Sequence, residues 1–209
     1  MNTRKKIKQL IVKWLPAWLL LIRKKPVDRT IYLTFDDGPT PDVTEALAKL
    51  LQEHDAKATF FVIGQKLEQH PELGKELVKQ GHTIGNHSYD HRNFGRIGLK
   101  AQVRQVLGAD GVIVELGQGY RGFRAPQGHW SVRLILSLFL KGYRCVHWSY
   151  DSMDYSQDSA AEIIESFRRR PVQSGDILLF HDDAQKCVQV LKELLPEWRR
   201  QGFVFRALD

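Results

Sequence analysis

Cysteine is scarce: Cys145 and Cys187 are the only two in 209 residues. That excludes a disulfide scaffold and a four-cysteine zinc module. The pair reads as two buried free thiols rather than as a bridge. Long apolar runs are also lacking. The stretch from Leu10 to Ile22 is interrupted by Lys13 and Pro16 and falls short of the ~20 residues a spanning helix needs. No G-x-G-x-x-G follows the first strand-like run and no G-x-x-x-x-G-K-[ST] occurs, so dinucleotide and P-loop readings lack their defining residues. Acidic residues are absent from positions 1–25, which hold Arg4, Lys5, Lys6, Lys8, Lys13, Arg23, Lys24 and Lys25. Beyond residue 25 the chain carries 23 basic and 24 acidic groups. The formal charge of +7 therefore belongs to a leader, and no basic groove for nucleic acid is expected.

What is present is ordinary globular composition, 43% hydrophobic and 26% charged, enough for one well-buried domain. Residues 1–29 read as a basic, apolar leader before a domain over 30–209. A small-x-small cleavage site does not follow the apolar run; Arg23-Lys24-Lys25-Pro26 does. A cleavable signal peptide is therefore not expected. An interfacial helix on an anionic membrane surface accounts for the lysines and tryptophans of residues 1–25. The chain would then be peripheral to a membrane or cytoplasmic. The alternative is an N-terminal helix packed on the domain.

From Thr30 onward apolar runs alternate with amphipathic stretches. Ile31–Phe35 and Ala58–Ile63 read as strands, with further strand-like runs over 82–86, 120–124, 143–150, 176–181 and 202–206. After Thr40-Pro41, Val43, Ala46, Leu47, Leu50 and Leu51 follow helical spacing, and helices are expected over 65–80, 98–116, 131–141, 159–170 and 184–200. Such alternation implies a parallel sheet, open or closed into a barrel. Chemistry in such folds sits where strands end.

Several of those ends carry polar groups. Asp36-Asp37 places two carboxylates side by side, costly unless a cation or an arginine compensates; alone it also reads as a surface turn. His87 and His91, at i and i+4, lie on one face of a helical turn and can meet one metal ion. Ser88 stands where a zinc protease of the H-E-x-x-H type would have glutamate. Arg124, in Arg124-Ala125-Pro126-Gln127-Gly128, can orient a carboxylate. Asp151-Ser152-Met153-Asp154-Tyr155 and Leu179-Phe180-His181-Asp182 complete the set. His129 is a further candidate for the pocket wall, whereas His54, His70, His82 and His147 read as structural or solvated. One active site built from successive strand ends explains the groups together.

In this order, the motifs resemble the polysaccharide deacetylase family, also called carbohydrate esterase family four or the NodB-homology domain. The resemblance extends from about Ile31 to Phe205. It implies an α/β single domain folded as a distorted (β/α)7 barrel, and hydrolysis of N-acetyl groups on sugars of a glycan or glycolipid. It further implies a divalent metal, zinc before cobalt or manganese, on Asp37, His87 and His91. Asp36 would be the general base, held by Arg124, and His181 the general acid, oriented by Asp151. Leu179 and Tyr155 would line the acetyl pocket, with the Gln127 N–H stabilising the oxyanion. The family usually has tyrosine at Gln127 and tryptophan at Tyr155, departures that bear on substrate rather than reaction. An amidase acting on a ring or ureide amide and a catalytically silent sugar-binding protein are the rival readings.

Overall fold

All seven residues from Thr30 to Asp36 are buried, as are the five of Ala58–Val62. Strands covered on both faces belong in a parallel sheet wrapped by helices, and that is the architecture found. The computed structural model describes residues 15–209. In chain order the elements are β1 (Leu20–Leu21), β2 (Thr30–Asp36), α1 (Val43–Glu53), β3 (Ala58–Val62), α2 (Gly64–Gln69), α3 (Pro71–Lys79), β4 (Thr83–Asn86) and α4 (Leu99–Ile113). There follow β5 (Gly122–Phe123), α5 (Val132–Phe139), β6 (Arg144–Val146), β7 (Tyr150–Asp151), α6 (Ala160–Arg169), β8 (Ile177–His181), α7 (Gln185–Arg200) and β9 (Val204–Phe205).

Eight parallel strands curl in the order β1-β6-β5-β4-β3-β2-β8-β7, and β9 pairs with the start of β2. This is the distorted α/β barrel, open between β1 and β7; Arg23, after β1, bridges to Asp176, just ahead of β8. Strand alternation separates two apolar layers. Leu33, Phe35, Phe60, Leu178 and Phe180 face the main helix-covered core. Tyr32, Phe61 and Ile177 join a smaller cluster with Leu21, Val146 and Leu208. Side chains two residues apart share a face of a strand. Asp36 therefore continues the column of Tyr32 and Thr34, and His181 that of Ile177 and Leu179. Both enter the barrel mouth.

The structure revises three expected boundaries. The run over 65–80 is two helices, because Pro71 opens α3 and lacks the N–H that would have continued α2. The run over 143–150 is two strands, β6 pairing with β5 and β1, and β7 with β8. The leader does not extend to residue 29 as a separate segment. Leu20 and Leu21 pair with Cys145 and Val146, Leu19 to Leu21 are buried, and Arg23 and Lys24 form ion pairs with Asp176 and Asp209. Two apolar residues with a sheet edge within reach gain more by pairing than by staying exposed. Residues 1–14 of the expected leader lie outside the described residues. Both cysteines are buried and free.

Candidate metal and hydrolytic site

The strand ends converge on a cavity of about 310 Å³. Asp36 and Asp37, His87 and His91, Asp151 and His181 line it, together with Gln127, Tyr155 and Leu179. Arg124 sits behind this wall, 0% exposed. His129 is not part of the lining.

One corner is built from ligand atoms. Asp37 Oδ1 is 3.5 Å from His87 Nε2 and 3.2 Å from His91 Nε2, and one donor atom from each residue lies within 4.8 Å of the others. His87 Nδ1 is 2.9 Å from the Arg124 carbonyl oxygen. A carbonyl only accepts, so Nδ1 carries the hydrogen and Nε2 presents its lone pair to the cavity. Burial, opposed by the charge of Asp37, pushes the His87 imidazolium pKa down to about 3, which keeps the ring neutral and able to ligate. Asp37 Oδ1 is buried without a hydrogen-bond partner. An orphaned carboxylate oxygen facing a neutral imidazole lone pair is the environment a divalent cation satisfies. The residues fit a metal.

The two histidines do not meet through a helical turn, as their spacing had suggested. Residues 87–91 form an irregular loop in which Ser88 and His91 have φ of 72° and 55°. The loop is tied from outside: Gln105 Oε1 accepts the N–H groups of Tyr89 (3.2 Å) and Asp90 (3.0 Å), and Asn86 Oδ1 accepts that of Ser88 (2.9 Å).

The other corner handles protons. Asp36 Oδ1 accepts a 2.7 Å bond from Arg124, which also donates to Thr34 Oγ1 at 2.8 Å and packs over the Phe61 ring at 4.2 Å. Burial raises the Asp36 pKa, with Arg124 and His181 opposing. Asp36 and His181 are register partners on β2 and β8. For His181, burial acts downward, but the hydrogen bond and charge of Asp154, with Asp36 and Asp37 nearby, prevail and raise the pKa to about 9.

Here the structure corrects the sequence reading. The carboxylate oriented on His181 is Asp154, not Asp151. Asp154 Oδ1 is 2.8 Å from His181 Nδ1 and Asp154 Oδ2 accepts the His181 backbone N–H at 2.8 Å. Asp151 Oδ1 instead accepts the Met153 N–H at 3.0 Å, and Met153, at φ 60°, turns the chain so that Asp154 faces the imidazole. Asp154 lay within the quoted motif, but residue order does not say which of two carboxylates a loop turns inward.

Trp148 and Lys66 escaped sequence reasoning, and Asp182, quoted with His181, takes a role the sequence did not assign. Trp148, between β6 and β7, adds an aromatic wall beside Tyr155, whose ring stands edge-on to His181 at 5.3 Å. Lys66 donates to the Asp37 carbonyl at 2.6 Å and to Thr40 Oγ1 at 3.3 Å. Asp182, fully buried, accepts from Thr44 Oγ1 at 2.8 Å, and its own N–H bonds the Asp36 carbonyl at 3.0 Å. Its carboxyl fills the space beside Gly38, where a Cβ would lie 1.9 Å from Asp182 Oδ1. The turn after Asp37 is thus gripped from two sides. A lysine on a helix is too common for sequence to flag, and nothing in the motif shows that Asp182 turns back toward the Asp36–Gly38 turn.

Comparison with known proteins agrees with this geometry. The polysaccharide deacetylase family model matches residues 23–146. A chitooligosaccharide deacetylase of Azorhizobium caulinodans is 39% identical over 198 residues, covering 86% of this chain and 92% of its own. A peptidoglycan-N-acetylglucosamine deacetylase of Bacillus cereus is 32% identical over 183 residues, 85% of each. The solved Bc1960 peptidoglycan N-acetylglucosamine deacetylase superposes with a TM-score of 0.87 at 26% identity, covering 94% of both chains.

Proposed function

This chain belongs to the polysaccharide deacetylase family, and from that membership we propose that it hydrolyses the N-acetyl group of N-acetylglucosamine residues in a chitooligosaccharide or peptidoglycan-like glycan. The observation that carries this reading is the convergence of three ligand atoms, from Asp37, His87 and His91, beside Asp36 and His181 on paired strand ends.

An amide is a weak electrophile, so its hydrolysis needs a polarised carbonyl, an activated water and a proton for the departing nitrogen. A divalent ion, which we take to be zinc from the two-imidazole, one-carboxylate donor set, would supply Lewis acidity at the carbonyl and lower the pKa of water. Asp36, restrained by Arg124, takes a proton from the water whose oxygen attacks the acetyl carbon. His181, protonated because Asp154 holds its other nitrogen, gives a proton to the sugar nitrogen as the C–N bond breaks. Acetate and a free amine leave. Leu179, buried in the lining, and Tyr155 bound the space for the methyl group. Gln127, at φ 55°, lines the cavity where its backbone N–H would meet the developing oxyanion. Trp148 supplies part of the aromatic surface that the tyrosine at position 155 leaves smaller.

The basic groups of residues 1–25 other than Arg23 and Lys24, which are ion-paired within the fold, support peripheral attachment to an anionic membrane. Among the described residues no helix is long and apolar enough to cross one. The test of the reaction is acetate release from N-acetylated chitooligosaccharides and peptidoglycan fragments, with and without chelator. Release that chelator abolishes and zinc restores is expected. Tight zinc binding with no acetate from any glycan would overturn the reading in favour of a sugar-binding protein.

A further inference from the structure

Helix α5 is apolar on two sides, and only one of them is covered. Leu134, Ile135 and Leu138 are fully buried against Leu20, Phe123 and Cys145. The opposite side exposes Val132, Leu136 and Phe139, and Leu140 just beyond the helix is 83% exposed. Trp18, 62% exposed, extends this surface, its ring edge-on to Phe139 at 5.3 Å. A helix apolar all round is normally buried, and a contiguous apolar patch marks an interaction surface.

The charge around the patch identifies its occupant. Between Glu115 and Asp151 the chain has no acidic residue, and the exposed Arg133 on α5 and Lys141 just beyond it border the patch. The leader reaches the fold at this same place: Leu15 packs against the cluster beneath α5, and residues 1–14 add five basic groups and no acid. A second copy of this face, or the leader folded back over it, would set cation against cation. An interface of anionic headgroups over acyl chains satisfies both the charges and the exposed leucine, phenylalanine and tryptophan side chains.

We infer that the outer side of α5 with Trp18 is a docking face for an anionic lipid bilayer, acting together with the basic leader. The inference rests on the membrane reading of residues 1–25 and extends it to the folded domain. It also sets the orientation. Val132 follows Gly128, a residue of the cavity rim, by four positions, roughly 14 Å of chain at most. A bilayer against α5 therefore lies close to the Gln127–Gly128 side of the mouth, near glycan held at the surface.

The test uses the full chain with phosphatidylcholine vesicles, with and without phosphatidylglycerol. Co-sedimentation that requires phosphatidylglycerol is expected. Leu136→Ser with Leu140→Ser should lower the partition coefficient at least about ten-fold while turnover of a soluble chitooligosaccharide is unchanged. Arg133→Glu with Lys141→Glu, which alters exposed side chains alone, should weaken binding in the same direction and covers the case in which the leucine pair disturbs folding. Equal binding to both vesicle types would overturn the anionic partner. If Lys5→Glu, Lys6→Glu and Lys8→Glu together abolish binding while both α5 pairs leave it intact, the leader reading stands and the α5 face is excluded. A dimer in solution that Leu136→Ser with Leu140→Ser dissociates, with no vesicle binding, would assign the face to a second copy.

Discussion

The two corners of the cavity use the same residue types, histidine and aspartate, wired in opposite senses. In the metal corner the imidazole is neutral: His87 is buried, its Nδ1 hydrogen given to a carbonyl, its pKa pushed down to about 3. In the proton corner the imidazole is charged: His181 meets both oxygens of Asp154 and is raised to about 9. The carboxylates differ likewise. Asp37 keeps a buried oxygen without a hydrogen bond, whereas Asp36 is held by a fully buried arginine. The lesson is that a partner which only accepts, a carbonyl, leaves a histidine neutral with a free lone pair, and one carrying negative charge favours its protonated form.

The largest effects should come from breaking the metal corner. Asp37→Asn, which removes the negative charge of one ligand, or His87→Ala, which removes a ligand atom, should collapse both zinc affinity and acetate release, the latter to background. Metal content after dialysis, read beside turnover, checks this. In the proton corner, Asp36→Asn and His181→Ala should each lower turnover about 10²–10⁴-fold with zinc still bound. Equal metal loss in Asp36→Asn and Asp37→Asn would erase the distinction between the adjacent carboxylates.

A smaller effect tests the wiring of His181. Its acid form is lost as pH rises through the folded pKa, so turnover should fall on the alkaline side near pH 9. Asp154→Asn removes the negative partner and leaves burial to act downward, so that limb should move to lower pH. Turnover at pH 8 should drop about 10–100-fold, with little change at pH 6 and none in zinc affinity. A pH–rate profile decides. An alkaline limb unmoved in Asp154→Asn but shifted in Asp151→Asn would return the orienting role to the residue first expected to hold it.

Why Asp154 was passed over while Asp37, His87 and His91 were expected to come together, as they do, is a matter of range. Buried strands such as Ile31–Phe35 and Ala58–Ile63 announce themselves by composition, and a strand end places its next residue at the mouth. Asp36, Asp37 and His181 were legible for that reason. Loops are not bound by a period. His87 and His91 converge through left-handed residues and a glutamine from α4 rather than through a helical turn, so the expected convergence arises from a different geometry. Asp151 and Asp154 differ only by the turn at Met153. β1 was illegible for a third reason: two leucines become a strand only because the edge of β6 lies beside them, a contact more than 120 residues away in sequence.

The smallest expected effect separates the corners most finely. Lys66 stands outside both, on α2, and touches neither a histidine nor a carboxylate oxygen; its ammonium donates to the Asp37 carbonyl and the Thr40 hydroxyl. Asp37 itself has a φ of 74°, a conformation the surrounding structure must hold in place. Lys66→Met keeps most of the aliphatic stem and deletes the donors, so the turn should loosen and the Asp37 oxygen should lose its aim. Groups that orient a ligand typically contribute 10–100-fold in metal affinity. Because Lys66 acts through the backbone, the lower end, about 10-fold weaker zinc binding, is expected. At saturating zinc, turnover and the alkaline limb should match the parent, the opposite signature to Asp154→Asn. Calorimetric titration of the metal-free chain measures the affinity directly. If zinc binding is unchanged while the alkaline limb moves, Lys66 belongs to the proton corner and the separation of the two corners fails at this residue.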